Sequence, residues 1–266
     1  MSRPIDGHLA RKRFGQNFLV DQNIIRKIVA AIAVKPGEPI VEIGPGLGAL
    51  TAPLITAAGH LDVVEIDRDL IARLKEKYSA EQITIHEGDA LKFDFGVLAG
   101  KAAGGLKVVG NLPYNISTPL LFHLADYAEG VKEMTFMLQR EVVDRMVADP
   151  AEAAYGRLGV MLQYRFHMAK LFDVPPGAFH PAPKVTSAIV RLVPKVPSEL
   201  DCGDASVLSK VVTAAFGQRR KTLRNTLRGL LDDAGFTALD INPGARGETL
   251  SLADFVRIAN YCIDHS

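Results

Sequence analysis

Strand-like and helical stretches alternate through the first half of this chain, and that alternation restricts its fold more than any other feature. Ile24, Ile25, Ile28, Val29 and Ile32 recur at helical spacing behind Asp21, which predicts an amphipathic helix over 21–34 with Asp21 as its N-cap. Strand-like PIVEI follows, then a glycine-rich turn, then the helical stretch ALTAPLITAA. LDVVEI, QITIHEG and LKVVG read as three further strands, with a helix over 68–78 between the first two of them. Strands with continuous apolar runs, separated by helices, predict an α/β fold whose mostly parallel sheet is covered on both faces.

Beyond this region, 118–128, 141–148 and 157–165 read as helices and EMTFML as another strand. KLFDV and SAIVRLV read as strands flanking the proline-rich loop PPGAFHPAPK. The character changes after Pro194 and Pro197: no strand is evident from Ala205 onward, and 205–216, 221–231 and 252–263 read as helices. A linker near 196–203 therefore divides a domain over 1–196 from a small all-helical domain over 197–266. No internal repeat is evident.

The formal net charge is +1, from 31 basic and 30 acidic side chains, so only the distribution of charge can speak for or against a nucleic-acid partner. Cys202 and Cys262 lie far apart without metal-ligand spacing, which argues against a disulfide framework or a metal site and suits a reducing cytoplasm. No apolar run approaches the roughly 18 to 20 residues of a membrane span. Arg11, Lys12 and Arg13 precede no apolar stretch, so neither a secretory leader nor a membrane partner is expected.

The stretch VEIGPGLGAL sets Gly44, Gly46 and Gly48 between a strand and a helix, where residues without side chains let a ligand approach the backbone. Glu65 ends the next strand about twenty residues later, where a carboxylate can accept hydrogen bonds from both hydroxyls of a ribose. Asp89, in the GDA after the third strand, is placed to bind an adenine amine. These features also describe a dinucleotide enzyme, but Pro45 in the turn removes an N–H that a pyrophosphate would use. A nicotinamide-dependent oxidoreductase stays open at this point.

EIGPGLGALT, VEID and GDAL resemble the ordered motifs of class I S-adenosylmethionine-dependent methyltransferases, and nearly the whole chain resembles the ribosomal RNA adenine dimethyltransferase family. The opening RKRFGQNFL and the later FGQRRKTLRN are similar to that family's terminal signatures. The resemblance implies a Rossmann-like methyltransferase fold, with Asn17 and Leu19 helping to enclose S-adenosylmethionine, Gly44 and Gly46 against it, Glu65 on its ribose and Asp89 on its adenine. It also implies the substrate: two adjacent adenines in a hairpin near the 3′ end of small-subunit ribosomal RNA, each methylated twice within an immature subunit. A monomer without metal is expected.

GNLPYNIS follows the fourth strand and supplies Asn111, Leu112, Pro113 and Tyr114 at the carboxyl edge of the sheet. An adenine amine is a poor nucleophile, because its lone pair is delocalised into the ring. Acceptors for its two protons draw the nitrogen toward tetrahedral geometry, and the Asn111 side-chain carbonyl, which would also border the cofactor, offers one. The Leu112 backbone carbonyl offers another, since Pro113 disfavours helical geometry at Leu112. Tyr114 can stack on the purine. The base must be flipped out to reach a buried cofactor, and the resemblance makes Phe179 its second stacking ring; His180 receives no role.

Lys210, Arg219, Arg220, Lys221, Arg224 and Arg228 fall within 205–231, which holds no acidic residue. On a helix over 221–231, residues 220, 224 and 228 would share one face suited to phosphate contacts. A solvated cationic face would show the same pattern. A non-catalytic assembly factor that only binds immature subunits is the rival of another class, against which the intact NLPY run argues.

Overall fold

The structure, a computed structural model, describes residues 17–265, so residues 11–16 of the opening motif lie outside it. The described chain forms two compact units, one reaching Val143 and resuming over Ala169–Pro194, the other made of Asp144–Met168 and the chain from Lys195 onward. In chain order the elements up to the first boundary are β1 (Phe18–Leu19), α1 (Gln22–Ile32), β2 (Ile40–Ile43), α2 (Thr51–Ala58), β3 (Leu61–Glu65), α3 (Arg68–Lys77), β4 (Ile83–Glu87), α4 (Gly96–Ala99), β5 (Leu106–Asn111), α5 (Ser117–Ala125), β6 (Val131–Gln139) and α6 (Arg140–Val147). Then come α7 (Arg157–Arg165), β7 (Phe166–Val174), β8 (Phe179–His180) and β9 (Ser187–Pro194). The two boundaries fall inside α6 and β7.

The first unit is built on a seven-stranded sheet of order β4-β3-β2-β5-β6-β9-β7. Strands β2 to β6 pair parallel, and β9 runs antiparallel to β6, with Gln139 opposite Ser187. Every residue of β2 is buried, as expected for a strand covered on both faces. The expected mostly parallel α/β sheet is present. Strand order reverses at β2, which has β3 and β4 on one side and β5 and β6 on the other. The carboxyl ends of the strands at such a switch point border the crevice in which α/β folds bind ligands.

Asp21 caps α1 as expected, accepting from the N–H groups of Asn23 and Ile24 at 2.8 and 3.1 Å. Ile25, Ile28 and Ile32 bury the apolar stripe of this helix. At its other end the buried Lys107 donates to the carbonyls of Ile32 and Ala33, and pairs with Glu38 and Glu133 at 3.3 and 3.1 Å. A cation against the last carbonyls of a helix is favourable. Lys107 thereby ties α1 to the start of β5. The two-residue strands β1 and β8 form a separate antiparallel ribbon, setting Leu19 opposite Phe179.

The second unit adds α8 (Ala205–Gly217), α9 (Leu223–Thr226), α10 (Asp233–Ala238) and α11 (Leu252–Asp264) to α7. Its core gathers Tyr155, Val160 and Tyr164 with Leu208, Val211, Val212, Phe255 and Val256. This corrects the boundary expected near residue 196, because residues 144–168 belong to the helical unit and bury Ala148, Tyr155, Val160 and Tyr164 in its core. The expected helix over 221–231 is corrected too. Thr222 is extended and Gly229 is left-handed, with φ of 84°, so only Leu223–Thr226 is helical. Arg220 precedes that helix and Arg228 follows it.

Candidate cofactor and substrate site

Four strand ends converge on one cavity of about 910 Å³ in the first unit. Its wall includes the glycine turn after β2, Glu65 at the end of β3, Asp89 after β4, and residues 111–115 at and after the end of β5. Asn17, Phe18 and Leu19 also line it, as do Ile25, Arg26 and Val29 of α1. Asn17, Leu19, Gly44, Gly46, Glu65, Asp89, Asn111, Leu112, Pro113 and Tyr114, all expected from the sequence at one site, line this one space.

The turn after β2 is shaped by backbone that side chains oppose. Gly44 has φ of 64°, and its N–H donates to the Val64 carbonyl at 2.9 Å, which holds the turn beside β3. A Cβ on Gly46 would meet the Phe18 ring at 3.3 Å while φ is 59°, so glycine suits both the close approach and the conformation. Glu65 is 6% exposed, and its Oε1 accepts from the N–H groups of Ile66 and Asp67 at 2.8 and 2.9 Å. Burial raises the pKa of this carboxyl above the ordinary value, while hydrogen bonds from the backbones of Asp67, Ile66 and Gly46 oppose the rise. The Glu65 carbonyl accepts from Gly88, which draws the GDA segment alongside. Asp89 is half-buried, and its Oδ1 accepts from Leu91 at 3.0 Å.

Sequence reading missed Glu42. It is 2% exposed inside β2, lines the same cavity, and accepts the Thr51 hydroxyl at 2.6 Å through Oε2. Burial pushes its carboxyl up to about 7, with the Thr51 hydroxyl opposing and the nearby Glu65 adding to the rise. A glutamate amid the apolar residues of a buried parallel strand was the available signal, since an ionisable group rarely sits there without a task.

At the end of β5 the Asn111 Nδ2 donates to the backbone carbonyl of Asn17 at 3.1 Å. That bond fixes which end of the amide is which and leaves Oδ1 as its acceptor end. Leu112 is 1% exposed, and its N–H donates to the Met137 carbonyl at 3.2 Å, anchoring the run to β6. Tyr114 is half-buried, and its hydroxyl lies 2.9 Å from the Ser187 Oγ. Burial raises the phenol pKa, opposed by Ser187, so the hydroxyl stays protonated.

Phe179 departs from expectation. It is 4% exposed, packs with Leu19, Val174 and Ala178 in the core, and is not among the residues lining the cavity. Its backbone partner Leu19 does line the cavity, so the ring stands one residue behind the wall rather than in it.

In the second unit Arg219, Arg220, Lys221, Arg224 and Arg228 are all exposed. Arg219 lies 3.7 Å from Glu248 and Arg224 lies 3.2 Å from Asp233, so two of these cations have acidic neighbours from outside the basic segment. Among the described residues no group of three or more His, Cys, Asp or Glu could hold a metal ion, and no helix is long and apolar enough to cross a membrane.

Comparison with known proteins matches residues 7–264 to the family model described as ribosomal RNA adenine dimethylase. The chain is 68% identical over 254 residues to a protein of Aromatoleum aromaticum named ribosomal RNA small subunit methyltransferase A, covering 96% of this chain and 94% of that one. It is 61% identical to the protein of the same name from Dechloromonas aromatica, covering 96% and 98%. Among solved structures it is similar to a dimethyladenosine transferase from Plasmodium falciparum, with a TM-score of 0.74 and 25% identity over 91% of this chain and 95% of that one. The 23S rRNA methyltransferase ErmE gives a TM-score of 0.71 at 25% identity, covering 93% of this chain and all of that one.

Proposed function

The chain belongs to the ribosomal RNA adenine dimethylase family, and from that premise and the geometry of the cavity we propose that it dimethylates the exocyclic amines of two adjacent adenines in small-subunit ribosomal RNA. The observation that carries this reading is that Asn111, Leu112, Pro113 and Tyr114 share one cavity with the glycine turn and Glu65. S-adenosylmethionine would supply an electrophilic methyl group there. The residues fit it: Gly44 presents backbone without a Cβ, and the buried Glu65 carboxylate has about four acceptor positions, enough to take a ribose hydroxyl besides its backbone donors. Asp89 would bind the adenine end. Asn17 and Leu19 would enclose the cofactor.

The work of the chain on the acceptor is positional and electrostatic. The Asn111 Oδ1 accepts a hydrogen bond from the target amine, and the Leu112 carbonyl accepts a second while the amine still carries two protons, localising the nitrogen lone pair; the proton lost at each methylation leaves to water. Tyr114 holds the flipped base by stacking. Placing the nucleophile at near-attack distance supplies most of the acceleration, and neither metal nor covalent enzyme chemistry is required of these residues. The exposed cations of the second unit meet RNA phosphates. An immature small subunit in the cytoplasm is the setting such a substrate implies.

Incubating the protein with S-adenosylmethionine and small subunits purified without this modification, then digesting the RNA to nucleosides for mass spectrometry, should yield N6,N6-dimethyladenosine at two neighbouring positions. Calorimetric titration should show S-adenosylmethionine binding and no NAD binding. Absence of dimethyladenosine, with folded protein and bound cofactor, would overturn the reading.

A further inference from the structure

We infer that Ser187 is a positioning residue for the methyl-accepting adenine, acting through the hydroxyl of Tyr114, and this rests on the reading of residues 111–114 as the base site. Tyr114 leaves the end of β5 on a loop, yet its hydroxyl reaches the first residue of β9, two strands away in the sheet. The residue is therefore held at its backbone and at the far end of its ring. Its own backbone carbonyl accepts from the Ser117 Oγ at 3.2 Å, and its hydroxyl meets the Ser187 Oγ at 2.9 Å.

Burial makes the second contact informative. Ser187 is fully buried, and it is followed in β9 by the buried apolar residues Ala188, Ile189 and Val190. A hydroxyl in such a place is costly unless it is paired, and packing alone would be served by alanine. The Tyr114 hydroxyl is the partner that satisfies it. An aromatic ring that must stack on an incoming base gains from a plane fixed beforehand, because a ring free to swing would hold the bound base at near-attack geometry for less of the time. Ser187 also ends the segment that begins with Phe179 at β8, so one stretch of chain carries both a core aromatic behind the cavity wall and the anchor of the ring within that wall.

The test is a double-mutant cycle of Ser187→Ala, Tyr114→Phe and the pair, read by stability, by affinity for S-adenosylmethionine and undermethylated subunits, and by single-turnover methyl transfer at saturation. Tyr114→Phe strands the buried Ser187 hydroxyl and Ser187→Ala unpairs the half-buried Tyr114 hydroxyl, so each should lose stability, whereas the pair removes both and should regain much of it. Positioning predicts another pattern for the rate. All three variants should transfer methyl groups about 2- to 10-fold more slowly than wild type, the equivalent of one net hydrogen bond, with both affinities unchanged. A merely structural contact would let the rate recover with stability in the pair. That recovery, or wild-type rates in the single variants, would overturn the inference while wild type remains active. Inactive wild type in the same assay would instead sink the adenine-site reading and the inference with it.

Discussion

Among the single residues, Asn111 and Glu42 separate what the sequence announced from what it concealed. Asn111 was legible because its neighbours Leu112, Pro113 and Tyr114 form a recognisable run at a strand end, and the structure adds the bond to Asn17 that leaves Oδ1 as acceptor. Its interaction strengthens as the amine becomes tetrahedral, so Asn111→Ala should lower single-turnover methyl transfer about 10²–10³-fold with little change in RNA affinity. A wild-type rate at saturating cofactor and subunit would remove Asn111 from the mechanism. Glu42 was hidden because a strand reads as apolar overall and one acidic letter does not reveal its depth. The folded carboxyl holds its proton up to about pH 7, whereas the unfolded one releases it near 4.5. Stability is thus undiminished below pH 4.5 and falls as pH rises toward 7, because the unfolded state alone gains by ionising. Glu42→Gln should be more stable than wild type at pH 7.5, by on the order of a few kcal/mol, and the gap should close toward pH 4.5. Chemical denaturation across that range checks it; a pH-independent difference would mean that Glu42 does not titrate in this way.

Regular elements follow the same division between periodic and aperiodic signals. Strands β2 to β6 and helices α1, α3, α8 and α11 were legible because long apolar periods declare them, and Asp21 declared where α1 begins. The ribbon of β1 with β8 was not, since two residues carry no period and their pairing joins positions some 160 apart in sequence. That pairing is also why Phe179 belongs to the core rather than to the cavity wall. The helix expected over 221–231 failed at Gly229 and Thr222, whose backbone conformations confine α9 to four residues. The basic cluster survives that correction as exposed side chains rather than as one helical face. Arg220, Lys221 and Arg228 have no ion pair within 4 Å among the described residues, whereas Arg219 and Arg224 have acidic neighbours. Neutralising the first three together should flatten the slope of log affinity against log salt by about 2 to 3, at roughly 0.7 to 0.9 ions released per phosphate contact. Cofactor affinity should stay the same. An unchanged slope in filter binding to undermethylated subunits would leave these cations as a solvated surface.

On the scale of the whole chain, composition and alternation were enough to foresee an α/β unit and a helical one, but not where the second begins. Prolines at 194 and 197 mark a change in character, and a boundary drawn there treats sequence as if each unit were one continuous stretch. The second core instead recruits Ala148, Tyr155, Val160 and Tyr164 from a segment some fifty residues earlier, and the Tyr155 hydroxyl donates to the Leu250 carbonyl at 2.8 Å. Apolar periodicity shows that α7 buries a face without showing against what. The consequence can be measured on a fragment. Residues 197–266 alone would keep α8 to α11 but lose two buried tyrosines and a buried valine, when removing one large core side chain already costs about 3–5 kcal/mol. Domains are stable by only about 5–15 kcal/mol, so a loss of this size should abolish cooperative folding of the fragment. Its far-ultraviolet circular dichroism should melt gradually and its amides should exchange within minutes, while the same helices in the full chain unfold in a sharp transition. A fragment with its own sharp transition would show that residues 144–168 are dispensable to the helical core and would restore the boundary near residue 196.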